Sequence, residues 1–517
     1  MTASLNGALM PVRQHGSEFP ATPLVKYRRL LVRPAVLSRL EDCSIFMPSS
    51  GHRPSHDTMK RSSSQKKKTM PKIAMDQNWS IINPNAAGID LGSREHWVAV
   101  PPERDTQTVQ CFGTTTPQLE ALAQWLKQCR VTHVAMEATG VYWIAVYQYL
   151  EKQGFQVLLV NARQIKNVSG RKSDVLDCQW IQRLHTYGLL GGSFRPGDGY
   201  CVVRSLMRYR DELIAGRTTQ VQHMQKALLQ MNLQLRVVLS DICGESGLAI
   251  IEAILGGERD PLKLAALAHR RVKSSRDQIA QALVGDYRSE HLFVLKMGWE
   301  LYHHYQHQIN QCEQELTMAL ERLPERANPQ ERPLPAKTKG KKLDEALRQS
   351  LYRKLGVDLT AIESIGTTVA LTALTEVGPD LSAFGTEKRF CSWLGLCPEH
   401  RITGGKILSS HTRRVVNRLS DALRLAATSL ENSASALGAY YRRMKRKLGS
   451  PQAITATAHK LARIIYRMLK HGEAYVRQGL EDYEQQAREQ TLNRLRRAAA
   501  TVGYQLIKCE PLVKVVS

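Results

Sequence analysis

Four carboxylates are placed where acids are unexpected. Asp90 lies inside the apolar run Gly88-Ile-Asp-Leu-Gly, Glu137 closes His133-Val-Ala-Met-Glu, and Asp174 and Asp177 lie three apart in Lys172-Ser-Asp-Val-Leu-Asp. An acid within an apolar strand is costly unless it is paired or bound to a metal. An i, i+3 pair at the start of a helix faces one way. If the first and fourth strands are neighbours, all four acids converge at one edge of the sheet, where hard divalent cations such as magnesium would relieve their repulsion. Two such ions about 4 Å apart stabilise the attacking and leaving oxygens of phosphoryl transfer. Asp174 has a second reading as a helix N-cap, which would leave Asp177 to meet the metal.

Cations concentrate elsewhere. Lys406, Arg413, Arg414, Arg418 and Arg424 are followed by Arg442, Arg443, Lys445, Arg446 and Lys447, and from Arg413 to Lys447 only Asp421 and Glu431 oppose them. Lys460, Arg463, Arg467 and Lys470 recur at i, i+3, i+7 and i+10, one face of a helix. A one-sided cationic stripe predicts a phosphate track. Tyr440 and Tyr441 are candidate base-stackers, with core packing expected for at least one. In Ala361-Ile-Glu-Ser-Ile-Gly-Thr-Thr, Gly366 is either the turn of a helix-hairpin-helix-like element, presenting backbone amides to a phosphate, or a simple C-cap of the preceding helix.

The elements that must hold these residues begin at Ala86. Ala-Ala-Gly-Ile-Asp-Leu-Gly, His96-Trp-Val-Ala-Val and Thr108-Val-Gln-Cys-Phe predict a three-strand meander. Thr116 as N-cap and Pro117 at the first helical position open a helix through Leu126. His133–Glu137 is a fourth strand, Tyr142–Lys152 a helix and Phe155–Val160 a fifth strand, a mixed α/β layer structure. Helical spacing over Leu213–Leu235 and Gln278–Leu323 predicts a helical spacer or coiled-coil pairing region. The Pro-rich, basic stretch 326–343 reads as a linker. The expected divisions are a disordered basic extension (1–80), an α/β domain (81–200), the helical region (201–325), the linker, a mainly α-helical C-terminal domain (344–482) and a basic tail (483–517).

The whole chain has 517 residues, with 72 Lys and Arg against 47 Asp and Glu, a net charge of +25. That balance attracts polyanions, nucleic acid first among them. A hydrophobic content of 43% is enough for real cores, and no apolar run approaches the length of a bilayer span. No secretory signal is evident, so a cytoplasmic protein without a membrane partner is expected, and ten scattered Cys without a C-x-x-C pair predict reduced thiols and no structural zinc. Residues 1–74 hold thirteen Lys and Arg against four acids, a charge of +9, and read as a nucleic-acid-binding arm or localisation signal, as a solvated extension, or as an over-long reading frame with the real start at Met75.

Gly88-Ile-Asp-Leu-Gly-Ser, Met136-Glu-Ala-Thr-Gly-Val-Tyr-Trp, Val160-Asn-Ala-Arg-Gln-Ile-Lys and Lys172-Ser-Asp-Val-Leu-Asp-Cys, in this order and spacing, resemble the bridge-RNA-guided insertion-sequence transposases. That family combines a RuvC-like DEDD domain with a C-terminal serine-type transposase domain. The resemblance covers residues 86 to about 480 and implies an RNase H-like (RuvC-like) fold for the α/β domain. It also implies a magnesium-binding tetrad at Asp90, Glu137, Asp174 and Asp177. The family's nucleophilic serine, which precedes a glycine, matches Thr403 in Arg401-Ile-Thr-Gly-Gly-Lys, a departure whose β-methyl crowds the attack. Ser409 and Ser410 are the alternative nucleophiles. The resemblance further implies donor and target DNA as substrates, a structured non-coding guide RNA, and a dimer or tetramer in which the two halves of the site meet between subunits. The rival readings are a RuvC-like nuclease of the junction-resolvase type, a catalytically decayed nucleic-acid binder, and an actin-like ATPase or sugar kinase, which predicts a second Gly-rich phosphate loop and an adenosine motif that this sequence does not show.

Overall fold

The structure, a computed structural model, describes residues 80–138, 140–161, 174–328, 330, 331, 333, 334, 344–472, 485, 489 and 492–506, with the side chains of Asp174, Val175 and Arg401 left out. The basic extension expected over 1–80 lies outside the described residues except for Ser80, as do all of the linker's lysines and about half of the tail. The described chain divides into two compact units at Arg195/Pro196.

The first unit is built on a five-stranded sheet of order β3-β2-β1-β4-β5. Strands β1 (Ala86–Leu91), β2 (Glu95–Ala99) and β3 (Val109–Gly113) form the expected antiparallel meander. Strands β4 (His133–Glu137) and β5 (Gln156–Val160) add in parallel on the other side of β1. Two helices supply the crossovers that parallel pairing requires. The first, α1 (Thr116–Gln128), has Thr115 as its N-cap, one residue before the expected Thr116, and Pro117 follows in the first turn. The second, α2 (Trp143–Lys152), begins one residue later than expected, with Tyr142 as its cap.

Together α1 and α2 bury Leu122, Leu126, Val146 and Leu150 against Ile89, Val98, Val134 and Met136 on one face of the sheet. Each such side chain contributes about 2 kcal/mol. The other face packs Ala135 and Val160 against Ile181 of α3 (Asp174–Thr186). This mixed sheet, followed by a mostly helical C-terminal part, fits an RNase H-like domain.

The second unit opens with α4 (Asp198–Gln230), and after four short helices comes α9 (Ser289–Glu321). The intervening α5 (Leu235–Val238), α6 (Glu245–Leu255), α7 (Pro261–Ala266) and α8 (Arg276–Ala282) share a core with Met224, Leu228 and Leu295. Arg210 pairs with Glu313, Arg217 with Gln306, and a Cβ on Gly298 would lie 2.9 Å from Met224. As the number on one helix rises, its partner's falls, so α4 and α9 run antiparallel. Each 33-residue helix is about 50 Å long. The pairing region expected here therefore pairs with itself, within one chain.

The C-terminal part contains α10 (Glu345–Leu355), α11 (Thr367–Glu376), α12 (Glu387–Trp393), α13 (Arg418–Ser429), α14 (Ala436–Leu448) and α15 (Ser450–His471). Arg204 on α4 donates to the Thr375 and Glu376 carbonyls at the end of α11, and Arg208 pairs with the Glu376 carboxylate at 3.0 Å. Lys354, buried, donates to the Glu321 and Leu323 carbonyls and so caps α9. Between α12 and α13 runs a two-stranded ribbon, β6 (Arg401–Thr403) and β7 (Lys406–Ser409), which the sequence reading did not anticipate. No described helix is long and apolar enough to cross a membrane.

Candidate functional site

Asp90 and Glu137 stand level on adjacent parallel strands. Ile89 pairs with Met136, so the next residue on each strand projects to the same face, about 4.8 Å from its neighbour. That face carries α3. Side chains alternate along a strand, which puts Gly88 and Asp90 on one side of β1, and Ala135 and Glu137 on the same side of β4.

Gly88 shows how close the helix comes. A Cβ there would stand 2.2 Å from the Gln182 nitrogen and 2.4 Å from the Cys178 carbonyl oxygen, so glycine is required for α3 to lie on β1. One residue before Cys178 is Asp177. The Cys178 thiol is pushed up to about 12, by burial first and also by the charges of Asp90 and Asp177. Asp90 lies on the sheet face that this helix covers, and Asp177 lies on the helix itself, next to the buried thiol. Asp90, Glu137 and Asp177 are all half-buried. The backbone of Asp174 opens α3, while its side chain and most of the preceding segment, including Ala162–Lys166 and Lys172, lie outside the described residues.

Asp90 and Glu137 on the sheet, with Asp177 on the helix that covers them, offer hard oxygen donors, the type that magnesium or manganese takes. Among the described residues no group of three or more His, Cys, Asp or Glu is close enough to hold an ion. Cys178 and Gly88 both lie in the quoted motifs, but neither was given a role, since a contact between a strand and a helix ninety residues on leaves no local signature.

In the second unit, Thr403 ends β6 and Lys406 begins β7, and the two are cross-strand partners. Gly404 and Gly405 join them with φ of 56° and 76°, the two positive values of a type I′ turn, which explains the Gly-Gly pair. Thr403 is exposed, with the Lys406 ammonium arm on the same face of the ribbon. Ser409 is half-buried and its hydroxyl accepts from the His411 backbone N–H, so it is already engaged in shaping the ribbon's end, while Ser410 is exposed.

The cations are less uniform than the charge count predicted. Arg413, which donates to the Ser392 carbonyl, and Arg414 are exposed beside the ribbon. Arg418 forms an ion pair with Asp211 of α4. Arg442 donates to the Glu431 and Ser433 carbonyls beyond α13, a role within the fold. Arg443 and Lys460 both lie against the Tyr440 ring, while Tyr441 is buried in the core. Arg463 and Arg467 meet on Glu387 of α12, and Lys470 donates to the Gly385 carbonyl.

The one-sided stripe is thus partly neutralised from within. Burial pushes the Glu387 carboxyl up, but Arg467 and Arg463 outweigh it and hold the group below the usual carboxylate range. Gly366 caps the N-terminus of α11 in extended backbone, and the left-handed residue of that turn is Ser364, with φ of 69°. Gly366 thus caps the helix that follows it, and the left-handed position of the turn falls on a serine.

Residues 87–233 match the family model of DEDD transposases of the IS110 group, described as transposase. Residues 358–442 match the model described as transposase IS116/IS110/IS902 family. The first match contains Asp90, Glu137, Asp174 and Asp177, and the second contains Thr403 and the ribbon. No curated protein matches the chain.

Proposed function

Starting from a DNA transposase/recombinase with both IS110-type transposase domains, we propose that it cuts and rejoins strands through a covalent protein–DNA intermediate on Thr403. The observation that carries this reading is the exposed Thr403 hydroxyl, fixed beside Lys406 at the end of a type I′ turn within the second matched segment. The Thr403 oxygen attacks phosphorus as its proton passes to solvent, and the bond from phosphorus to the 3′ oxygen breaks. The strand leaves with a 3′-hydroxyl. Lys406 holds a non-bridging phosphate oxygen during the displacement. A partner strand's 3′-hydroxyl later attacks the same phosphorus and restores the threonine.

Asp90, Glu137 and Asp177, joined by Asp174, would hold magnesium, which when bound supplies Lewis acidity at the scissile phosphate. The carboxylates' shared face and Gly88's close approach support that assignment. The chain acts in the cytoplasm as a dimer or tetramer, with the carboxylates of one subunit meeting the threonine of another, and a structured RNA selects the donor and target DNA. The +25 charge suits a protein that handles two kinds of polyanion.

Incubation with DNA spanning the element's ends, followed by denaturing electrophoresis, tests this reading. The wild-type chain gives a protein–DNA adduct that Thr403→Val abolishes and Thr403→Ser keeps or increases, because serine lacks the crowding methyl. Asp90→Asn lowers adduct formation at least about a hundredfold, beyond what loss of an outer-shell partner does. Cleavage that persists in Thr403→Val without any adduct would replace this reading with metal-activated water, as in a nuclease.

A further inference from the structure

The ribbon has a second face. Ile402 and Ile407 are cross-strand partners on the side opposite Thr403 and Lys406, and each is 61% exposed. A two-residue turn makes the pair flanking it hydrogen-bonded and the next pair out non-hydrogen-bonded, the closer kind, so the two isoleucines form one compact aliphatic knob. Leu408, at the register shift beside them, is 70% exposed. Pairing continues away from the turn through the Pro398–Thr412 bridge and the Glu399 N–H to His411 carbonyl bond, so the knob stands on an extended ribbon.

Polar loops do not ordinarily carry such residues, and an isolated apolar hairpin is marginal in water. Its setting is cationic. Between Gly395 and Asn417 the chain has Arg401, Lys406, Arg413 and Arg414, with His400 and His411, against the single acid Glu399. A β-ribbon is narrow enough to enter a DNA groove, and aliphatic wedges from groove-binding proteins unstack a base step and kink the duplex.

We propose that Ile402 and Ile407 form a wedge that unstacks duplex DNA at the step next to the phosphate presented to Thr403. One face of the ribbon thus addresses the backbone while the other addresses the bases. This rests on the ribbon lying on DNA, as in the function proposed above, but not on Thr403 being the nucleophile.

The test compares two fluorescent duplexes of one mixed sequence, one fully paired and one with two adjacent mismatches, bound by the full chain in EDTA so that metal-dependent cutting is stopped. Unstacking costs a few kcal/mol per step, and mismatches supply part of it in advance. Wild type therefore binds the mismatched duplex roughly tenfold or more tightly, tenfold being about 1.4 kcal/mol. Ile402→Ser/Ile407→Ser brings the ratio near one with an unchanged salt slope, since no charge is altered. Ile402→Phe/Ile407→Phe, apolar and longer, keeps the ratio and shows that the ribbon itself is intact.

Equal ratios in wild type and the serine variant overturn the proposal. So does a serine variant that loses self-association in the ultracentrifuge with its ratio unchanged, which would make the knob a contact between copies. The binding ratio is read in EDTA, without strand chemistry, and the adduct in a separate reaction with the metal, so a failed wedge and a failed nucleophile are told apart.

Discussion

Two guanidinium groups on one carboxylate make Glu387 a gate on charge. While Arg463 and Arg467 hold it, the cationic face of α15 is partly cancelled, and a phosphate must compete with a bond already made. Glu387→Gln releases both, so affinity for non-specific DNA rises and the slope of log affinity against log salt steepens by up to about two phosphate contacts. Thermal stability falls by about 1 kcal/mol, modest because both arginines are partly exposed. An unchanged salt slope would show that these arginines serve the fold alone. A different residue sets the acid limit of the sheet unit. The His185 imidazole is pushed down to about 4, by burial first and then by the neighbouring His133. Once unfolded, it takes up a proton near 6.5, so the unfolded state binds more protons between about pH 6.5 and 4. Stability therefore falls as pH drops through that window, by up to about 3 kcal/mol. Urea midpoints measured across it show a flatter acid limb for His185→Gln, with no difference in slope above pH 7.

At the scale of elements, α3 and β1 act as one part. Because Gly88 admits no Cβ beneath Gln182 and Cys178, Gly88→Ala forces the helix outward and carries Asp177 away from Asp90. The expected cost is about 1–3 kcal/mol of stability, with strand cutting lost before the fold is. Cutting at the wild-type level with a lowered melting temperature would show that the Asp90–Asp177 approach is not needed. The strands were legible in the sequence because half-buried strands alternate and turn residues punctuate them: Asp90 and Glu137 could each be placed on a strand from that pattern, while the adjacency of those two strands was a condition that the sheet order supplies. What escaped were features without a local signature. The β6–β7 ribbon is too short to show a period, and Gly404-Gly405 reads equally as a flexible turn until both φ values are known. Glu387 lies 76 residues before Arg463, so the charge pattern along α15 gave no sign of its partner. That α4 and α9 cover each other escaped for a related reason, since helical periodicity marks an apolar face but not which helix covers it.

For the molecule as a whole, the proposed chemistry needs residues from both units, and a subunit-shared site predicts complementation. Asp90→Asn chains and Thr403→Val chains, each inactive alone, regain adduct formation when mixed and allowed to exchange subunits, to no more than about half the wild-type level by the statistics of pairing. Two dead variants that stay dead when mixed would place each site within a single chain. One more consequence lies in the antiparallel arm of α4 and α9. Its strands of chain leave and return at the same end, where Gly199 meets Leu323 and Lys354 closes the last turn of α9. The arm is therefore a ruler whose length can change without disturbing its foundation: removing matching whole turns from both helices shifts the tip by about 5.4 Å per turn while the two ends stay put. Whatever the tip grips can thus be set at a chosen distance from the ribbon by insertions and deletions alone, with no substitution near the chemistry.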